Sequence, residues 1–340
     1  MRSIISGALI LAATGMANAQ SGSPVPVTVD NFIRAETDLY MDKGVKEAEG
    51  LGKLVHIREP TQIDKQTVIR MNRDTLYSTA VFDLEAGPAT ITMPDPGKRF
   101  MSLQIINEDH YVPNVFYGAG PHTLTKDEVG TRYVQVAIRT LVDPNDPNDV
   151  KQVHALQGAI KVSQKSPGKF EVPNWDQASQ KKVRDALLVL ASTISGFKNA
   201  FGAKGQVDPI KHLIGTAAGW GGNPDKDATY FSFTPAKNDG KTVYKLNVPG
   251  NVPVEAFWSI SLYNAEGYFQ KNDFNAYSVN NITAKKSADG SVAVQFGGCD
   301  GKIPNCLPIM AGWNYLVRLY RPRPEVLSGK WKFPEAQAMN

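Results

Sequence analysis

The sequence predicts a mainly β protein, with two β domains joined by a helical segment. Three observations carry that expectation. Short stretches of β-branched and aromatic residues recur in both halves. Tight turns such as Asp95-Pro96-Gly97 separate them, with no helical period between. The clearest helical period lies in the middle, between the two strand-rich regions.

The first 19 residues read as a signal peptide. Arg2 supplies a positive charge, an apolar run follows to Ala13, and Ala17-Asn18-Ala19 offers the small residues of a cleavage site. The expected location is periplasmic or secreted. The apolar run is shorter than the roughly 20 residues a spanning helix needs, and no Cys follows for a lipid anchor. No later stretch suits a membrane span, so no integral membrane segment is expected after cleavage.

Residues 20–150 are predicted as an N-terminal β domain with a leading helix. Asp30 is expected to cap that helix, with Phe32, Ala35, Leu39 and Tyr40 at helical spacing. Strands are expected at 77–84, 89–93, 100–106 and 131–138. The run Asp143-Pro-Asn-Asp-Pro-Asn-Asp149 reads as a turn-rich hinge. It lacks the Gly and closing Glu of an EF-hand calcium loop. Residues 151–225 form the helical segment. Its main helix starts near Asp176 with Val183, Ala186, Leu187, Leu190, Ile194, Phe197 and Phe201 on one stripe, ended by Gly202. Residues 226–340 return to strands, at 229–233, 242–248, 257–263, 291–296 and 315–320.

Composition removes several function classes. Of 340 residues, 42% are apolar and 21% charged, which argues against long disorder. A net charge of +4 without a Lys/Arg-rich run makes nucleic acid a poor partner. Two cysteines cannot build a four-cysteine zinc site. In an exported chain, Cys299 and Cys306 are expected to close a local disulfide, since glycines and Pro304 let the chain fold back there. The alternative is a redox pair, which usually has a two-residue spacing.

Three longer motifs add a resemblance. Arg70-Met-Asn-Arg-Asp-Thr-Leu-Tyr-Ser78 resembles the signature of domain-of-unknown-function family 1254. Val254-Glu-Ala-Phe-Trp-Ser-Ile-Ser-Leu-Tyr-Asn264 and Gly312-Trp-Asn-Tyr-Leu-Val-Arg-Leu-Tyr-Arg-Pro322 resemble its C-terminal companion, family 1214. The resemblance implies an N-terminal immunoglobulin-like β domain, a small helical domain and a C-terminal jelly-roll-like β-sandwich. It implies no activity. Many relatives carry Trp where Cys306 stands, so the disulfide would belong to a subgroup.

Two clusters carry candidate chemistry. Asn107-Glu108-Asp109-His110-Tyr111 is the densest titratable group, and Glu108 or Asp109 with His110 suits general acid–base catalysis. If the strand continued, Glu108 and His110 would share a face and Asp109 would point away. Asn72, Arg73 and Asp74 precede a strand, and the planar fork of Arg73 suits a carboxylate or phosphate. The alternative is an Arg–Asp pair tying a loop to a strand end. Trp258, Asn264, Arg318 and Tyr320, with Tyr111, complete the candidate ligand-binding set, since Tyr and Trp join apolar bulk to a polar tip.

No His spacing, Walker A motif, dinucleotide fingerprint or Gly-x-Ser-x-Gly elbow occurs, so no metal or cofactor is predicted. Three functions remain: an exported protein binding a small, anionic molecule between two β domains; a metal-independent hydrolase using Glu108, Asp109 and His110; or an envelope interaction protein, homo-oligomeric through sheet edges.

Overall fold

The computed structural model describes residues 23–66 and 69–339. The signal-peptide reading falls on residues 1–19, outside the described residues. Among those described, no helix is long and apolar enough to cross a membrane.

The protein is mainly β, as expected, and its strands form two two-sheet sandwiches. The first sandwich has a five-stranded sheet in the order β1 (Val55–Ile57), β2 (Thr75–Asp83), β7 (Tyr133–Leu141), β4 (Met101–Asn107), β5 (Val115–Tyr117). Its second sheet runs β6 (Gly120–Leu124), β3 (Ala89–Met93), β8 (Lys161–Gln164). Period-two alternation explains the packing. Phe82, Leu103, Ile105, Val136 and Ile138 point inward and meet Ile91, Met93 and Leu124 of the smaller sheet. Alternate residues of the larger sheet point the other way and are largely polar: Tyr77, Ser102, Gln104, Gln135 and Arg139. That outer face is nevertheless covered, because Ser102, Gln104, Gln135 and Arg139 are all buried.

Between β5 and the second half of the chain lie α2 (Lys126–Val129) and α3 (Pro147–Ala159). Asp146 caps α3 through Asn148 N–H, and Pro147 takes the first turn, where its missing N–H costs nothing. The 143–149 run is therefore the entry to a helix, and Arg99 holds the Asp149 carboxylate at 2.5 Å. After α3 the chain returns to the first sandwich as β8.

A helical layer is built from α1 (Phe32–Glu47), α4 (Gln177–Ala191) and α5 (Pro209–Gly219), packed through Phe32, Ala35, Leu187 and Ile214. Two expectations are corrected here. Asn31, not Asp30, stands at the start of α1 and makes no side-chain cap bond. The α4 helix ends at Ala191, well before Phe201, because Ser192 and Thr193 turn their hydroxyls back onto the carbonyls of Val189 and Leu190. Such local bonds compete with helix continuation.

The second sandwich has one sheet in the order β12 (Ser278–Asn280), β11 (Trp258–Tyr263), β15 (Asn314–Tyr320), β9 (Ala228–Phe233). The other runs β14 (Cys306–Leu307), β13 (Val292–Phe296), β10 (Tyr244–Val248), β16 (Gln337–Ala338). Among the described strands all pairings are antiparallel except the two-residue contact of β13 with β14, and an isolated parallel bridge joins Val25 to Trp175. Leu246, Ile260, Val294, Phe296, Trp313 and Val317 fill its core. A short helix, α6 (Pro324–Leu327), follows β15. Cys299 and Cys306 form a disulfide with an S–S distance of 2.05 Å.

Candidate functional site

The two sandwiches meet along polar sheet faces. On the first, cross-strand register aligns Tyr77, Arg139, Ser102 and Tyr117 in one row across β2, β7, β4 and β5. On the second, register aligns Asn280, Ser259, Arg318 and Tyr230 across β12, β11, β15 and β9. The segment 70–74 runs between them. Asn72 Nδ2 donates to the Tyr320 hydroxyl at 2.9 Å, and Asn280 Nδ2 donates to Asp74 Oδ1 at 3.2 Å. The Tyr263 hydroxyl donates to Met71 O at 2.7 Å.

Arg139 lies at the centre of this seam and is buried. It donates to Gln104 Oε1, to Gly221 O at 2.9 Å and to Asn223 Oδ1 at 3.4 Å. Its guanidinium stacks over Tyr77 at 5.2 Å. Arg318, also buried, donates to Ser261 Oγ and the Tyr263 hydroxyl at 2.8 Å and to Arg70 O at 2.9 Å. Arg73 donates to Thr61 O and stacks over Tyr277 at 5.0 Å. Arg70 donates to Asn314 Oδ1 at 3.0 Å and stacks over Tyr263 at 5.8 Å. Among the described residues, none of these four arginines forms an ion pair. Their partners are neutral carbonyls, amides, hydroxyls and ring faces.

Asp74 is fully buried in the same seam. Burial holds its carboxyl above the usual range, although Arg318 pulls the other way. The tyrosines split in opposite directions. Burial would raise the Tyr77 phenol, but the charge of Arg139 and hydrogen bonds from Arg139, Thr75 and Asn72 win and hold it below the ordinary tyrosine range. Burial, with Tyr230 and Tyr77 alongside, pushes Tyr320 well above it. Tyr77 and Tyr230 stay half-buried, so the seam keeps accessible surface. Phe100 and Phe257 flank it, Phe257 stacking on Tyr320 at 4.1 Å.

Five of the residues singled out from sequence meet here: Asn72, Arg73, Asp74, Arg318 and Tyr320. The others lie elsewhere. Trp258 is on the opposite face of β11, opposite Leu319, in the core of the second sandwich. Asn264 caps a turn, its Oδ1 accepting from Tyr268 N–H at 2.8 Å. The cluster at 107–111 does not act as one unit. The β4 strand ends at Asn107, whose side chain accepts from the N–H of Asp109 and Tyr111, and His110 takes a left-handed conformation with φ of 60°. Strand alternation stops there, and His110 parts from Glu108 and Asp109, which both lie at Arg34.

His110 is fully buried with both ring nitrogens committed. Gly221 N–H donates to Nε2 at 2.8 Å, which places the proton on Nδ1, bonded to Thr216 Oγ1 at 2.8 Å. Burial and the neighbouring His212 push its pKa well below the usual value. It ties the 107–111 turn to α5 and to the Gly221 loop, and it faces neither Glu108 nor Asp109. Tyr111 stacks on His212 at 4.7 Å. Asp109 pairs with Arg34 at 2.5 Å, and Glu108 accepts from Tyr133 N–H at 2.8 Å beside a cleft along α1.

Sequence reasoning missed Tyr77, Gln104, Arg139, Asn223 and Tyr230. The signal was present for Gln104 and Arg139. In 133–141 and 101–107, Gln135, Arg139 and Gln104 fall at alternate positions of otherwise apolar strands.

Fold and seam together define a class: a two-sandwich protein with an arginine–tyrosine interface between its halves. Residues 51–128 match the family described as protein of unknown function DUF1254, and residues 229–324 match the one described as protein of unknown function DUF1214. The chain belongs to the proteins that carry these two domains, in this order. Asn72, Asp74 and Tyr77 come from the first matched region, Tyr230, Arg318 and Tyr320 from the second, and Arg139 from between them. No curated protein matches the chain. Among solved structures it is similar to the VPA0106 protein of Vibrio parahaemolyticus, with 17% identity and a TM-score of 0.69, covering 92% of this chain and 100% of that one. It is also similar to an uncharacterised protein of Burkholderia cenocepacia, with 14% identity and a TM-score of 0.51, covering 92% and 87%. These likenesses bear on the fold alone.

Proposed function

We propose that this is an exported protein that binds a small anionic molecule in the seam between its two sandwiches. One observation carries the reading: Arg139 and Arg318 are buried without a carboxylate in ion-pair contact, beside the half-buried Arg70 and Arg73, which also lack one. A buried charge is costly unless it is paired. A carboxylate or phosphate ester seated against Arg139 supplies the missing partner through charge-assisted hydrogen bonds. Phe100, Phe257 and Tyr320 offer an aromatic wall, so the favoured ligand joins an anionic head to an apolar or aromatic body. Export is supported by the leader-like start of the sequence and by the disulfide, which suits an oxidising compartment.

The test is calorimetric titration with benzoate and with its neutral counterpart benzamide. Benzoate is expected to bind and benzamide to fail. Arg139→Gln is expected to weaken benzoate by roughly 10–100-fold, the worth of about 1.5–3 kcal/mol for a hydrogen bond to a charged group. Equal binding of the two probes, or an unaffected variant, removes the reading.

A second reading, acid–base chemistry on the bound molecule, is favoured by the opposed tyrosines. Tyr77, held low beside Arg139, is the phenol of the pair that more readily exchanges a proton. Tyr77→Phe separates the two readings, because loss of turnover with retained binding appears only if chemistry occurs.

A further inference from the structure

A cleft of about 530 Å³ lies where α1 meets the segments 130–133 and 171–175, apart from the seam. Asp38 lines it and is 1% exposed. Its Oδ2 accepts from Trp175 Nε1 at 2.8 Å, while Oδ1 has no hydrogen-bond partner. Each cation lining the cleft is already engaged. Arg34 holds Asp109 at 2.5 Å and stands 3.6 Å from Glu108, Lys126 holds Glu85 at 2.5 Å, and Arg132 holds Asp83 at 2.9 Å. Asp38 is left as a carboxylate without a cation.

An orphaned, buried carboxylate oxygen calls for a donor, and an unmatched negative charge calls for a positive one. A primary ammonium is both: a compact cation with three donors. Beside Asp38 the cleft carries apolar surface from Trp175, Val172 and Pro173, suited to a short hydrocarbon stem. We infer that this cleft binds a small primary amine, its ammonium seated on Asp38 Oδ1 and its alkyl stem along Trp175.

The protonation of Asp38 fits that role. Burial pushes its pKa up to about 7, and the charges of Glu108 and Asp109 push the same way, against Trp175 and Arg34. A bound ammonium favours the ionised form, so binding near neutral pH releases part of a proton from Asp38.

The experiment uses the full chain with n-butylamine hydrochloride and, as the uncharged counterpart, 1-butanol. Amide resonances around Asp38 and Trp175 are followed by NMR. Calorimetry in two buffers of different protonation enthalpy, neither a primary amine, counts released protons. The expected result is saturable binding of butylammonium with proton release, no saturation by 1-butanol, and an affinity at least roughly tenfold weaker in Asp38→Asn. Should that variant fold poorly, Trp175→Phe serves instead. It trims the apolar wall along the stem and removes the donor to Oδ2, so it is expected to weaken butylammonium and to increase the protons released on binding, and no change in either overturns the inference. Arg139→Gln is expected to leave amine binding intact, which separates this site from the seam. Equal binding of the two probes, an unchanged Asp38→Asn affinity, or the absence of saturable amine binding overturns the inference.

Discussion

The seam between the sandwiches and the cleft along α1 are opposite cases of one imbalance. In the seam, Arg70, Arg73, Arg139 and Arg318 lie among carbonyls, amides and phenols without an ion pair. In the cleft, Asp38 is buried while every cation around it is held by another carboxylate. Elsewhere the protein balances its buried charges. Glu36, for example, is 1% exposed and is gripped by Arg184 at 2.5 Å and by Gln180 at 2.8 Å. The contrast teaches that, among the described residues, an unmatched buried charge is the exception in this fold and falls at the seam and beside the α1 cleft.

The sharpest check is a buried polar group that is fully matched. His110→Ala leaves Gly221 N–H and Thr216 Oγ1 without their partner and opens a cavity. It is expected to cost about 3–5 kcal/mol of stability, read by urea unfolding. A variant of normal stability with altered turnover would break the comparison, because it would make His110 a reacting group.

Asp38→Asn goes the other way. A carboxyl whose folded pKa is raised to about 7 by burial binds its proton more tightly in the folded state. The stability it contributes is complete below the unfolded pKa and is lost as pH rises through about 7. Removing the charge is therefore expected to stabilise the protein at pH 8 by on the order of 2–4 kcal/mol and to do little at pH 4. Thermal unfolding at the two pH values measures it. A loss of stability at pH 8 would mean that Asp38 is matched after all.

How far the sequence reached depends on what kind of information each feature needs. Strands of five or more alternating residues were legible because their alternation is local: 89–93 coincides with β3, and 291–296 contains β13. The strands β1, β5, β8, β12, β14 and β16 were not, since two to four residues hold too little pattern, and in β6 Gly120 and Pro121 interrupt it. Their pairing is set by neighbours far away in the chain, as when β8 adds to β3. The seam was half legible. Asn72, Arg73, Asp74, Arg318 and Tyr320 stood out as polar groups in motifs, but the sequence gives no sign that the two polar sheet faces oppose each other. Without that, Arg139 read as an ordinary strand residue and Trp258 as a neighbour of Arg318, although period two puts it on the other face. The 107–111 cluster misled because proximity in sequence is not convergence. One side-chain cap at Asn107 turns His110 inward against α5 and the Gly221 loop, while Glu108 and Asp109 stay together beside Arg34.

Within the seam two smaller effects sharpen the contrast. Arg139→Gln removes an unmatched cation, so its cost in ligand-free stability is expected to stay below about 1 kcal/mol while benzoate binding falls. A large loss of stability would show that the neutral partners alone satisfy Arg139. Tyr77→Phe deletes one hydroxyl and is expected to weaken benzoate only about three- to tenfold, on the order of 1 kcal/mol.

The most direct measurement is a crystal structure of the protein soaked with 4-bromobenzoate, with the bromine located by its anomalous scattering. An anomalous peak between Arg139 and Tyr320, with the carboxylate on the guanidinium, is the predicted result. Bromine found only at the α1 cleft or on the outer surface, with the seam unchanged, would contradict the assignment of the arginine–tyrosine seam as an anion site.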